Sequence, residues 1–162
     1  MKNRNILAAA GLLSVLASPL YAQQPPSDAV AWKSSAIAVK SADGGKLYRL
    51  QFDGHITPGY IIYGSDFEAG LGPNPTRLRL DAKEGITTHD KLQSTGTKAG
   101  KDAAFNSAYT YFEGAANLSQ VVAVADGVKS VAGTLRGQAC HESDGTCTLF
   151  SVHFEVPLPP AQ

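Results

Sequence analysis

The sequence predicts an all-β protein, a β-sandwich of about eight or nine strands, and three observations predict it. Apolar and polar residues alternate with period two in the segments richest in Val, Leu, Phe and Tyr, the mark of strands with one buried face. Beyond the N-terminal leader, no stretch shows apolar spacing at three and four residues. Gly and Pro, 16 and 9 of the 162 residues, join Asp and Asn in turn clusters between these segments, as expected for short strands in a sandwich.

At the N-terminus, Lys2 and Arg4 precede an apolar run from Ile6 to Leu16, and Leu20-Tyr21-Ala22 closes it with a small residue suited to cleavage. This is the pattern of a secretory signal. The run is too short for a membrane span, and no cysteine lies nearby to carry a lipid. Residues 1–22 are therefore expected to be removed on export to the periplasm. Residues 23–29, beginning Gln-Gln-Pro-Pro-Ser-Asp, read as a flexible lead-in, and residues 30–158 as one domain. Losing Lys2 and Arg4 leaves 12 basic residues against 14 acidic ones. That balance excludes nucleic acid and an anionic membrane surface as partners, since both require clustered positive charge, and no membrane span is expected after signal removal.

The strands follow in order. Val30 to Val39 reads as one strand or a bent pair, with Trp32, Ile37 and Val39 toward the core, and Ser41 to Gly45 as a turn. Tyr48, Leu50 and Phe52 alternate with Arg49, Gln51 and Asp53. A strand from Gly59 to Tyr63 is opened by Pro58 and closed by Gly64. Gly64 to Pro75, with three Gly and two Pro, reads as a loop whose Phe67 and Leu71 fold back over the sandwich edge or over a site. Thr76 to Ala82 resumes alternation with Leu78, Leu80 and Ala82 on one face. Ile86 to Leu92 is a weaker strand, and Gln93 to Asp102 reads as a long polar loop of the kind that is usually functional or mobile. Ala108–Phe112, Gln120–Val124, Lys129–Ala139 and Thr148–Val156 complete the set.

The last two strands flank the only cysteines, Cys140 and Cys147. Val131, Gly133 and Leu135 alternate before them, and Phe150, Val152, Phe154 and Val156 after them, so the segment predicts a hairpin with a cysteine at each shoulder. Asp144-Gly145 is a strong turn dipeptide. An ideal two-residue turn there would leave the cysteines diagonal to each other, whereas a disulfide needs Cα atoms roughly 4.4–6.8 Å apart. A wider loop or a bulge is therefore expected. Export implies an oxidising compartment, in which neighbouring cysteines are usually bonded. So small a ring stabilises by only about 2.5 kcal/mol through lost chain entropy. Spacing alone leaves a plain stabilising disulfide open. Because Trp32 precedes both cysteines, the bond is not the inter-sheet pin of antibody domains.

Other chemistry is weaker. Cys140, His141, Cys147 and His153 are metal-ligand types, but His153 falls on the outward face of its strand by parity with Ser151 and Glu155, so no metal site is assigned. His55 and His89 stand alone in turns. No phosphate loop, paired carboxylates or nucleophile-base-acid set is present, and no cofactor is called for.

The motifs Ile56-Thr-Pro-Gly-Tyr60-Ile-Ile-Tyr63, Gly72-Pro73-Asn-Pro75-Thr76 and Gly133-Thr-Leu-Arg-Gly-Gln138-Ala-Cys140, followed by Cys147 and a final alternating strand, occur in an order that resembles the N-terminal domain of the thiol:disulfide interchange protein DsbD. The likeness runs from about Trp32 to Val156. It implies an immunoglobulin-like sandwich in which Cys140 and Cys147 form a reversible redox pair, with Tyr63 beside it and Tyr60 nearby. It implies thioredoxin-like periplasmic proteins as partners, electrons supplied by a separate membrane electron-carrier protein, and activity as a protein-disulfide reductase component. In that family a loop with acidic residues and a phenylalanine shields the disulfide; the corresponding stretch, about His89 to Ala99, has no aromatic residue, which leaves Phe67 as the candidate shield. Ending at Gln162 without transmembrane helices, the chain is expected not to draw electrons across a membrane alone. Glu142 and Asp144 disfavour a thiolate near the pair and His141 and Arg136 favour one, and either cysteine can be the one attacked. The competing reading is a non-catalytic immunoglobulin-like binding module with a structural hairpin disulfide.

Overall fold

The computed structural model describes residues 29–41 and 44–160, which form eleven strands in two antiparallel sheets. The expected signal over residues 1–22 and all of the lead-in but its last residue lie outside the described residues. That last residue, Ala29, is buried, and its carbonyl accepts the Thr57 N–H at 2.9 Å.

The strands are β1 (Val30–Val39), β2 (Leu47–Ile56), β3 (Tyr60–Tyr63), β4 (Arg77–Leu80), β5 (Ile86–Thr88), β6 (Gln93–Thr95), β7 (Lys98–Lys101), β8 (Ala108–Glu113), β9 (Ala115–Val124), β10 (Ser130–His141) and β11 (Cys147–Pro157). The first sheet runs β1-β2-β9-β5, with β6 also on β9. The second runs β11-β10-β3-β8-β7, with β4 also on β10. The expected all-β sandwich is what forms, and its core is built from the alternating rows read in the sequence. Tyr48, Leu50 and Phe52 of β2 meet Leu135, Phe150 and Phe154 of β10 and β11 in one buried cluster. Phe52 and Phe154 touch edge to face across the sheets, with centroids 4.8 Å apart.

A recurrent device lets these rings lie flat. Trp32 is paired across strands with Gly54, Phe154 with Gly133, Phe150 with Gly137, and Tyr109 with Gly100. A Cβ on any of the four glycines would stand 3.0 Å or less from the facing ring. Each aromatic therefore covers the gap that its partner's missing side chain leaves, and large side chains pack without splaying the sheets.

Two expectations need correction. The count is eleven strands rather than eight or nine, because β6 and β7 lie within the stretch read as a polar loop. Edge strands of three or four residues are too short to show a period, and their pairing is dictated by β9 and β8. Between β5 and β6 the ladder is interrupted, and Asp90 fills in by accepting the Val121 N–H at 2.7 Å while its carbonyl accepts from Gln120 Nε2 at 2.7 Å. Gly96, at φ 83°, lies where the chain leaves the first sheet for the second. The second correction concerns β1. Its register with β2 is unbroken from Val30↔Ile56 to Val39↔Leu47, so Ile37 and Val39 have the opposite parity to Trp32. Trp32, Ala36 and Ala38 face the core, and Ile37 is 43% exposed.

Candidate functional site

The hairpin between β10 and β11 solves the register problem with a four-residue loop, Glu142 to Gly145. His141 N–H donates to the Thr146 carbonyl at 2.9 Å, and Gly145 N–H, in the left-handed region at φ 69°, donates to the His141 carbonyl at 2.9 Å. Cys140 and Cys147 become direct cross-strand partners with Cα atoms 4.0 Å apart, as in the narrow, non-hydrogen-bonded pairs of an antiparallel ladder. They form a disulfide. The wider loop expected from the sequence is the one observed.

Parity decides where the bond sits. Ala139, Gly137 and Leu135 point into the core, so Cys140 and Gln138 point to the outer face of the second sheet. Cys147 and Leu149 join them there from β11. The two sulfurs are in unequal surroundings. Cys140 is 4% exposed, whereas Cys147 lies open at the tip.

Two donors aim at the buried sulfur. Tyr63 Oη lies 3.6 Å from Cys140 Sγ and Gln138 Nε2 lies 3.8 Å from it, and a bonded sulfur can only accept. Gln138 is turned that way by the loop between β3 and β4: its Oε1 accepts from Asn74 N–H at 3.0 Å and from Asn74 Nδ2 at 3.2 Å, leaving the amide nitrogen for the sulfur. Thr76 anchors the same loop by donating to the Tyr63 carbonyl at 2.6 Å. Burial, then the neighbouring Tyr109 and Asp102, push the Tyr63 phenol above its ordinary range, so it keeps its proton and remains a donor at neutral pH.

Around Tyr63 the outer face is aromatic. Its ring meets Tyr109 at 5.2 Å and Phe67 at 6.3 Å. Phe67 thus packs on Tyr63 and Tyr109, one ring removed from the disulfide, and Leu71, in the same loop, is 77% exposed. Tyr60 stands opposite His141 on the other face of β3, and its ring contacts the imidazole edge-on at 4.8 Å. It flanks the hairpin loop rather than the sulfurs. The stretch His89–Ala99 is occupied by β6 along β9 and the start of β7 along β8.

In the loop itself, Asp144 accepts the Thr146 N–H at 2.8 Å and sits 3.7 Å from His141 Nδ1. The Thr146 hydrogen bonds, with His141 as a smaller influence, hold its carboxyl below the usual carboxylate range. Among the described residues no group of three or more His, Cys, Asp or Glu is placed to hold a metal, and His153 is exposed on the outer face. The sequence reading missed the role of Gln138 and Asn74. The position of Gln138 two residues before Cys140 on one strand was the available signal; its pairing with Asn74 depends on the return of a distant loop.

No family model matches the chain, and no curated protein matches it. Solved structures do. The N-terminal periplasmic domain of ScsB from Proteus mirabilis superposes with a TM-score of 0.55 at 15% identity, over 82% of this chain and 48% of that one. The chain thus spans about half the length of that structure, and the likeness shows a shared fold. The reduced N-terminal domain of DsbD from Neisseria meningitidis overlaps with a TM-score of 0.48 at 20% identity, over 86% of this chain and 94% of that one.

Proposed function

We propose that the chain is a thiol–disulfide exchange module in which Cys147 Sγ is the atom attacked and Cys140 Sγ the leaving group. The observation that carries this reading is the asymmetry of the bond: one sulfur open to an incoming thiolate, the other enclosed beside two hydrogen-bond donors. In-line attack on Cys147 forms a mixed disulfide and expels Cys140 as a thiolate. A thiolate is a far better acceptor than a bonded sulfur, so the Tyr63 and Gln138 contacts strengthen as charge develops. Interactions that strengthen in this way lower the barrier, and they lower the pKa of the leaving thiol, which speeds its departure.

A second thiolate of the partner then attacks its own sulfur in the mixed disulfide and releases Cys147. One disulfide is reduced to two thiols here and one dithiol is oxidised there, with two electrons and two protons transferred. The reverse sequence passes the pair onward. The loop between β3 and β4 with Phe67 forms the surface on which the partner docks, Tyr63 lies beneath it beside Cys140, and Tyr60 supports the hairpin loop from the other face of β3. The partners proposed are thioredoxin-like proteins of the periplasm, reached through the signal at residues 1–22. Among the described residues no helix is long and apolar enough to cross a membrane.

The test is a titration in glutathione buffers combined with trapping. The bond is expected to open reversibly, and Cys140→Ser, which keeps the exposed thiol, to trap a mixed disulfide with a thioredoxin-like protein through Cys147. A bond that stays closed below about −300 mV is a structural one, and the chain is then a binding module whose hairpin is stapled.

A further inference from the structure

Next to the disulfide, the outer face of the second sheet carries two arginines that the fold leaves without an ion pair. Rows on β10 and β11 step away from the bond in the register Cys140↔Cys147, Gln138↔Leu149, Arg136↔Ser151. On the other side of β10, Arg77 of β4 stands directly opposite Arg136. Like charges facing each other across an antiparallel pair destabilise it. Among the described residues neither guanidinium has a carboxylate within ion-pairing distance. Asp66, Glu68 and Asp90 border a separate cleft on the far side of Arg77 without pairing with it. Both arginines, with Asn74, Pro75 and Leu149, line a groove of about 540 Å³. Leu149 is 75% exposed. Packing accounts for neither a repulsive arginine pair nor a bare leucine, yet the two are contiguous and begin two residues from the open sulfur.

We infer that this groove docks an acidic, extended segment of the exchange partner, with an apolar side chain on Leu149 and a carboxylate held between Arg77 and Arg136. The inference rests on the exchange reading above and specifies the partner's chemistry. Guanidinium groups bind carboxylates in a fixed fork, and an arriving carboxylate relieves the repulsion that the empty groove sustains. The geometry also sets a spacing. Four residues of strand separate Arg136 from Cys140, about 14 Å at the usual rise, and an extended segment covers that in about four residues. The partner's acid therefore lies about four residues from its reactive cysteine.

Two nine-residue peptides test this, each with a central cysteine, leucines two residues from it on both sides, and either Asp or Asn four residues away on both sides. Mixed-disulfide formation with the oxidised chain is followed by acid quench and mass spectrometry, with rates normalised to each peptide's thiolate fraction. The Asp peptide is expected to react roughly tenfold faster at low ionic strength, and the two to react alike near 1 M salt or in an Arg77→Gln/Arg136→Gln variant. Removing the like-charge pair should leave the melting temperature unchanged or raised; a lowered one would mark the arginines as structural and overturn the inference. Equal rates in the unaltered chain would also overturn it while leaving the exchange reading intact. No mixed disulfide with either peptide would overturn both.

Discussion

On its inner face β10 carries Val131, Gly133, Leu135, Gly137 and Ala139, all buried against the first sheet or under the rings of β11; on its outer face the same strand carries Arg136, Gln138 and Cys140. The inner row contains only apolar atoms and glycines and is shaped by volume. The outer row is shaped by hydrogen-bond donors and charge, and its one buried member, Cys140, is enclosed by a neighbouring tyrosine and glutamine rather than by the core. Period two thus separates two tasks along a single strand. What holds the sandwich together and what addresses the disulfide are adjacent in sequence and opposite in space.

The sharpest way to break this division is to damage the inner row and ask whether the chemistry follows. Leu135→Ala, at 1% exposure, is expected to lower stability by about 3 kcal/mol, read by denaturant unfolding. The rate of disulfide opening by a small thiol, measured well below the melting temperature, should be unchanged; a parallel fall would show that the faces are coupled. Smaller effects are expected from the outer row, and in the opposite observable. Gln138→Ala and Tyr63→Phe each remove one donor from Cys140 Sγ, and each should slow opening of the bond by roughly tenfold, equivalent to about 1.4 kcal/mol for a hydrogen bond to a charged group. Their unfolding midpoints should stay close to that of the unaltered chain. If stability falls and the rate does not, the tyrosine and glutamine belong to the packing.

The smallest expected effect concerns acid. The Asp144 carboxyl is depressed by the Thr146 N–H, so its contribution to loop order is complete above the ordinary carboxylate value of about 3.9 and is lost as pH falls through its lower folded value. The protection factor of the Thr146 amide, its exchange rate relative to the intrinsic rate at the same pH, should therefore fall as the pH drops below about 4. In Asp144→Asn this added acid dependence should disappear.

Much of the inner face was legible in the sequence. Tyr48, Leu50 and Phe52, and Phe150, Phe154 and Val156, alternate without interruption, and burial follows that parity. Ile37 was misplaced because hydrophobicity was read there without parity. β6 and β7 were missed because an edge strand three or four residues long borrows its conformation from the ladder it joins. At the site, the cysteine pair and Tyr63 could be picked out through resemblance to a known domain. The exposure of Cys147, the enclosure of Cys140 and the turning of Gln138 could not: the second depends on Tyr63, 77 residues earlier, and the third on Asn74, 64 residues earlier.

That loop, residues 64–76, is fastened at both stems. Ser65 bonds Ser94 and Leu92, Asp66 accepts from Thr110, and at the other end Asn74 and Thr76 hold Gln138 and the Tyr63 carbonyl. The rim beside the exposed sulfur is consequently preset, and since the Leu71 carbonyl also accepts from Ser107 Oγ, only the short span from Glu68 to Gly70 is left to adjust. In the exchange proposed above, docking on such a rim forfeits little conformational freedom, so a complex forms without first remodelling the surface.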